Sequence, residues 1–235
     1  MIILYKKNLI FLILIIVLPI FICAIYTSFN TKSISTSSLP VSNHTIILDA
    51  GHGYPDGGAV ATDGTIESEI NLNIVLKLQQ LLEASNCTVI LTRSDENGIY
   101  ETTSNTIREK KVSDMKNRVE IANTSNAEAF ISIHMNKLPQ TQYSGWQSFY
   151  KNDDESSKKL ASSIQKNLNH FIDENNHREI KSINSIYLAK HVEIPLAIIE
   201  CGFLSNTQET EKLKTEEYQD LLAWSIYTGI FDYFN

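Results

Sequence analysis

The stretch TIILDAGHGYPDGGAVATDGTIESEINLNIVLKLQQLL, Thr45 to Leu82, passes from a short β-branched run through a Gly-rich turn into a helical pattern. Thr45 to Leu48 reads as a buried strand, and Ile70, Ile74, Leu78, Leu81 and Leu82 recur at the spacing of a helix's apolar face. The same alternation continues downstream. TVIL at Thr88–Leu91, AFISI at Ala129–Ile133, WQSFY at Trp146–Tyr150 and LAII at Leu196–Ile199 read as further strands. Leu160, Ile164, Leu168, Phe171 and Ile172 form a second helical set, and Tyr218, Leu221, Leu222, Ile226 and Ile230 a third. Strands alternating with helices predict an α/β fold, a single domain with a twisted, mostly parallel sheet and helices on both faces. The polar, aperiodic segment Asp95 to Lys111 is expected to form a long surface loop.

Composition sets the outer bounds. A chain of 235 residues, 43% apolar and 20% charged, suits one ordinary domain plus an appendage. Three cysteines are too few for a disulfide scaffold, although Cys87 and Cys201 could form one bridge. The appendage is amino-terminal: Lys6 and Lys7 precede an uncharged apolar run from Leu9 to Tyr26. Its length as a helix, about 27 Å, approaches the roughly 30 Å of a hydrocarbon core. The lysines favour the cytoplasmic side, which sends the rest of the chain outward. Residues 1–29 are therefore expected to be a membrane anchor, with a cleaved signal segment as the alternative. Asn30 to Asn43 has seven Ser or Thr in fourteen positions and no aromatic, so 30–44 reads as a linker and 45–235 as the folded body. Without Lys6 and Lys7 the chain carries 27 acids against 18 bases, a formal charge of −9. So acidic a body offers little counterion release, which excludes nucleic acid as an expected partner.

In open α/β sheets, ligands bind beyond the carboxyl ends of the strands. DAGHG (Asp49–Gly53) follows the first strand, His134 follows the strand ending at Ile133, and Glu200 follows Ile199. Two imidazoles and a carboxylate with one open position make a catalytic zinc site. His52 and His134 supply the imidazoles, and Glu67, just ahead of the first long helix, is the leading carboxylate; spacing alone leaves Glu69 open as its rival. Glu67 also has a plainer reading as a helix-start acid. Asp49 could orient a histidine ligand or cap a turn. Glu200 directly follows an apolar run and, half-buried, needs a partner. His44, His170, His177 and His191 have no such placement and read as solvated or structural.

Taken together, DAGHGYPDGGA (Asp49–Ala59), ESEINLNI (Glu67–Ile74), LTR (Leu91–Arg93), NRVEIANTSNAEAFISIHMN (Asn117–Asn136) and IPLAIIECGFLSN (Ile194–Asn206) resemble the zinc-dependent N-acetylmuramoyl-L-alanine amidases. The likeness runs through the whole body in order. WQSFY, SSKKLASSIQKNL and HREIKSINSIYLAK follow the order of the spore-cortex, CwlD-like type. The resemblance implies His52, Glu67 and His134 as zinc ligands, choosing Glu67 over Glu69 by the family's register, and Glu200 as the catalytic glutamate. Tyr54 and Pro55 depart from the family pattern, which more often has a glycine and a small residue there.

The implied reaction is hydrolysis of the amide between the lactyl group of N-acetylmuramic acid and L-alanine of the peptidoglycan stem, with Zn2+ as cofactor. The implied setting is spore cortex maturation towards muramic δ-lactam, outside a membrane, at the forespore or cortex. An accessory protein could be required for activity. Tyr54, Trp146 and Tyr187 are candidate sugar-stacking aromatics, with core packing the simpler reading of the last two. Arg93 and Arg118 recur in the family, and Arg118 is expected to tie helix to sheet. Two rival functions are a thiol hydrolase with Cys201 as nucleophile and a non-catalytic wall-binding module.

Overall fold

A computed structural model describes Leu39 and residues 41–235. The expected anchor, 1–29, and most of the expected linker lie outside the described residues. No helix among the described residues is long and apolar enough to cross a membrane. Among the described residues, packing begins at Val41, which is fully buried and whose carbonyl accepts from the Cys87 thiol at 2.8 Å.

The elements are β1 (Thr45–Ala50), α1 (Glu67–Ala84), β2 (Thr88–Leu91), α2 (Ile107–Thr124), β3 (Ala129–Asn136), β4 (Gln147–Lys151), α3 (Glu155–Phe171), β5 (Lys181–Ile183), α4 (Tyr187–His191), β6 (Leu196–Phe203), α5 (Thr207–Leu213) and α6 (Glu216–Phe234). They form one six-stranded sheet in the order β2-β1-β3-β6-β4-β5. β2, β1, β3 and β6 are mutually parallel; β4 runs antiparallel to β6 and carries β5 parallel to itself. The α/β class and the mostly parallel sheet are as the sequence predicts.

Side chains alternate across each strand, so the two faces build two cores. On one, Ile46, Leu48, Ile131, Ile133 and Ile199 pack with Ile74 and Leu78 of α1, Leu160 and Ile164 of α3, and Leu222 and Ile226 of α6. On the other, Ile47, Phe130, Leu196 and Ile198 pack with Ala122 of α2 and Leu188 and Ala189 of α4. The parity that puts Ile47, Phe130 and Ile198 on the second face carries Asp49, Ser132, His134 and Glu200 there too, towards the carboxyl ends of three adjacent parallel strands.

Two expectations need correcting. The segment Asp95–Lys111 is loop only as far as Thr106, where α2 begins. Thr106 and Glu109 form a reciprocal capping box, the threonine hydroxyl accepting from the Glu109 N–H at 3.2 Å and the glutamate accepting from the Thr106 N–H at 3.0 Å. The buried residues of α2 are Asp114, Arg118 and Ala122, a largely polar set at helical spacing that an apolar-period reading passes over. The strands also run further than their apolar cores: β3 reaches Asn136 and β6 reaches Phe203, so His134 and Glu200 lie within strands and not after them. β5, three residues at the edge, has no legible period.

Candidate active site

The turn between β1 and α1 is held from beneath by two buried arginines. Arg118 donates to the carbonyls of Ala50 at 2.9 Å and His52 at 2.6 Å, and Arg93 donates to those of Ala50 at 2.8 Å and Gly51 at 3.2 Å. Arg93 also reaches the Ser68 carbonyl at 2.7 Å, tying the turn to the first turn of α1. Neither arginine is free to meet a substrate: both are at least 95% buried. His52 occupies the left-handed region, φ 62°, a conformation that costs a non-glycine residue and persists where its surroundings over-determine it. Those carbonyl contacts supply the determination.

Asp49 lies beneath this turn, fully buried, bonded to Arg118 and accepting from Thr92 at 2.8 Å and from the Ser132 hydroxyl. It hydrogen-bonds to neither histidine, so it is a structural anchor. Orientation of a histidine falls instead to Asp56, four residues beyond His52, whose Oδ2 lies 3.0 Å from His52 Nδ1. Lys111 Nζ is 3.0 Å from the other oxygen of Asp56. Sequence reasoning missed Asp56, although its place in the Gly-rich turn was the available signal.

With Nδ1 taken, His52 turns Nε2 towards Glu67 Oε1 at 3.4 Å, and His134 Nδ1 lies 3.0 Å from the same oxygen. Glu67 is itself fixed, its Oε2 accepting from the Ala59 N–H at 2.7 Å and its Oε1 from the Met135 N–H at 3.1 Å. Glu69, two residues on, is exposed. One ligand atom from each of His52, Glu67 and His134 lies within 4.8 Å of the others. Ligands at about 2.0–2.1 Å from a tetrahedral ion stand about 3.3 Å apart, so this donor set fits a single divalent metal. Two glycines make the gathering possible. A Cβ on Gly51 would lie 2.3 Å from the His134 ring, and one on Gly58, φ 72°, would lie 2.5 Å from Glu67 Oε2.

The electrostatics follow the contacts. Burial works to lower the basicity of His52, but hydrogen bonds to Asp56 and Glu67 outweigh it and raise its pKa to about 9. Burial works to raise the Glu67 carboxyl, yet the two histidines hold it well below the usual carboxylate range. Glu200 differs. Burial pushes its carboxyl up, reinforced by the charge of Glu67, and its Oε2 has no hydrogen-bond partner within the protein. It is the register partner of His134 across β3 and β6, and the pairing slips by one residue just beyond, between His134 and Asn136.

His52, His134 and Glu200 line a cavity of about 350 Å³ to which α2 and α4 also contribute side chains. Pro55, Met115, Ile186, Leu188 and Ile198 give the lining apolar surface, and Lys110 and Tyr100 also line it.

A model of the N-acetylmuramoyl-L-alanine amidase family matches residues 46–232. The chain belongs to that family. The amidase is 39% identical over 209 residues to the germination-specific N-acetylmuramoyl-L-alanine amidase of Bacillus subtilis, covering 89% of this chain and 87% of that protein. Among solved structures it resembles the CwlD amidase from Clostridioides difficile, determined in complex with the GerS lipoprotein. That match has 48% identity and a TM-score of 0.79, covering 81% of this chain and 98% of that one. An N-acetylmuramoyl-L-alanine amidase from Clostridium difficile 630 matches at 28% identity and a TM-score of 0.70, covering 82% and 97%. The amidase is of the CwlD-like type, a hydrolase of the cell wall's peptidoglycan.

The remaining candidates fall outside the cluster of His52, Glu67, His134 and Glu200. Cys201 has the opposite strand parity to Glu200; it is fully buried in the core packed by α1, α3 and α6, and burial pushes its thiol far up, which removes it as a nucleophile. Cys87 and Cys201 are both free thiols. Trp146 is buried, its indole N–H donating to Asn169 at 2.8 Å, and so is a core residue. Tyr187 stacks on His191. Tyr54 is 65% exposed, in the turn that carries His52. His44 pairs with Glu128 at 2.7 Å and stacks on Phe234, away from this edge of the sheet.

Proposed function

We propose that the amidase works with zinc held by His52, Glu67 and His134, and that Glu200 is its general base and acid. The reaction is hydrolysis of the amide between the lactyl group of N-acetylmuramic acid and L-alanine of the stem peptide. When bound, zinc supplies Lewis acidity, making water in the site more acidic and polarising the scissile carbonyl. Glu67 contributes a carboxylate already ionised and aimed by two backbone N–H groups, so little reorganisation accompanies metal entry. His52 must give up a proton to ligate, which Asp56 offsets by holding the Nδ1 side. Glu200 Oε2 takes a proton from the attacking water as its oxygen adds to the carbonyl carbon, and returns it to the amine nitrogen as the C–N bond breaks. A carboxyl raised by burial is suited to both halves of that task.

The observation that carries this reading is the unpartnered, buried Glu200 oxygen in register with His134 and beside a three-donor metal set. Likeness to a germination-specific amidase supports a role in spore cortex maturation, where freeing stem peptides prepares muramic residues for conversion to the δ-lactam. A neighbour solved with a lipoprotein supports an accessory protein for this chain as well. Action is extracytoplasmic, with residues 1–29 serving as the anchor or signal segment and 30–44 as the tether.

Metal analysis with mass spectrometry of digested peptidoglycan tests the assignment. Glu200→Gln is expected to keep zinc and to lose cleavage by a factor on the order of 10²–10⁴. Cleavage retained in that variant overturns the role of Glu200. A wild type that binds zinc yet frees no peptide favours the wall-binding module.

A further inference from the structure

The charged groups lining the catalytic cavity are committed to one another, with one exception among the cations. Arg118 is bonded to Asp49 and, at 2.6 Å, to Asp114; Lys111 and His52 share Asp56 at 3.0 Å each. Lys110, on the first turn of α2, makes no ion pair among the described residues. Its Nζ is 4.7 Å from the centroid of the Tyr100 ring, which gives a cation a preferred position without neutralising it. Both Lys110 and Tyr100 line the same cavity as His134 and Glu200, and the apolar side chains Met115, Ile186, Leu188 and Ile198 line it too. The cavity therefore combines in its lining metal donors and a proton carrier, hydrocarbon side chains, and an ammonium with no ion-pair partner among the described residues. Its volume, about 350 Å³, suits a few residues of an extended peptide and not a polymer strand.

We propose that Lys110 is a specificity-determining residue that binds a free carboxylate on the peptide side of the scissile amide. The ligand class is an acidic peptide whose carboxylate lies one residue beyond the cleaved bond, as the second residue of a peptidoglycan stem supplies when it is glutamate and not its amide. Methyl groups beside the cleaved bond pack on the apolar side chains of the lining while the carboxylate meets Lys110 Nζ. The ammonium is already held by Tyr100, so ordering it on binding costs less than ordering a free surface lysine. The inference rests on the proposed reaction at this site.

The test uses the full-length, zinc-loaded protein and two glycan-linked stem peptides, one with glutamate and one with isoglutamine as second residue. The ratio of kcat/KM for acid over amide is the readout. In wild type the ratio is expected to favour the acid; in Lys110→Gln it falls roughly tenfold, the scale of one charge-assisted hydrogen bond at a partly exposed site. Lys110→Glu reverses the preference and Lys110→Arg preserves it. Thermal unfolding of each variant accompanies the kinetics, and because the readout is a ratio of two substrates on one protein, a partly unfolded fraction does not move it. An unchanged ratio in Lys110→Gln and Lys110→Glu overturns the proposal. Wild type cleaving neither substrate overturns the underlying reaction as well, so the two failures are distinguishable.

Discussion

His134 on β3 and Glu200 on β6 are register partners across two hydrogen-bonded parallel strands. Side chains opposite one another in a sheet share a face, so the backbone ladder itself sets an imidazole beside a carboxyl. Loop closure is not needed to bring them together. The cost is a carboxyl drawn out of water with one oxygen unpartnered.

That cost is measurable as stability. Burial, aided by the charge of Glu67, pushes the Glu200 carboxyl above its ordinary range, so ionising it opposes folding. Glu200→Gln in the metal-free protein is expected to gain on the order of 1 kcal/mol at neutral pH, read by urea denaturation. A loss of stability would show that the carboxyl has support the contacts do not reveal.

Asp56 holds His52 by Nδ1 and is held in turn by Lys111. Outer partners of ligating histidines typically contribute 10–100-fold to metal affinity. Asp56→Ala is expected to weaken zinc binding by roughly that factor in chelator competition, with Lys111→Gln weakening it less. Affinity equal to wild type in Asp56→Ala would remove Asp56 from the metal's support.

Asp49 contributes to the acid limb of stability. Burial alone would raise its carboxyl, but the Arg118 guanidinium and the Ser132 and Thr92 hydroxyls outweigh burial and lower it. A folded pKa below the unfolded one gives stability that is present above the unfolded value, about 3.9, and is lost as pH falls below it. Asp49→Asn leaves Arg118 buried with one fewer carboxylate and is expected to cost about 3–5 kcal/mol at pH 7. The variant's stability should also fall less steeply than wild type as pH drops below about 4. Parallel acid limbs for the two proteins would count against the pair.

Gly51→Ala and Gly58→Ala test whether the donor set depends on close approach. Their Cβ atoms would fall 2.3 Å from the His134 ring and 2.5 Å from Glu67 Oε2. Both variants are expected to lose zinc in calorimetric titration while far-ultraviolet circular dichroism stays native. Gly64, φ 91°, has nothing within 4 Å of a Cβ, so Gly64→Ala should incur backbone strain alone and keep the metal. Metal loss in Gly64→Ala equal to that in the other two would mean that turn strain, and not contact, is responsible.

Thiol alkylation of the native protein should leave the cleavage rate intact, because Cys201 is fully buried and Cys87 lies on the same core face. A chelator should abolish cleavage. Rate loss on alkylation that tracks modification of Cys201 would reopen the thiol mechanism.

The amino-acid sequence by itself determined the α/β class and five of the six strands, because apolar periodicity is a local property of a chain; it offered His52, His134 and Glu200 as candidates at strand ends, and only the family resemblance preferred Glu67 to Glu69. It could not separate Asp49 from Asp56: both flank His52, and only the path of the turn, pinned by Arg93 and Arg118, decides which carboxylate reaches the imidazole. Nor did apolar period mark the bounds of α2, which entered only through the helix expected to carry Arg118, because its buried residues Asp114, Arg118 and Ala122 are a largely polar set with no apolar signature. The parity that turns Glu200 into the cavity and Cys201 into the core likewise came from tertiary structure, since a strand acquires an inside and an outside only when both faces of its sheet are covered.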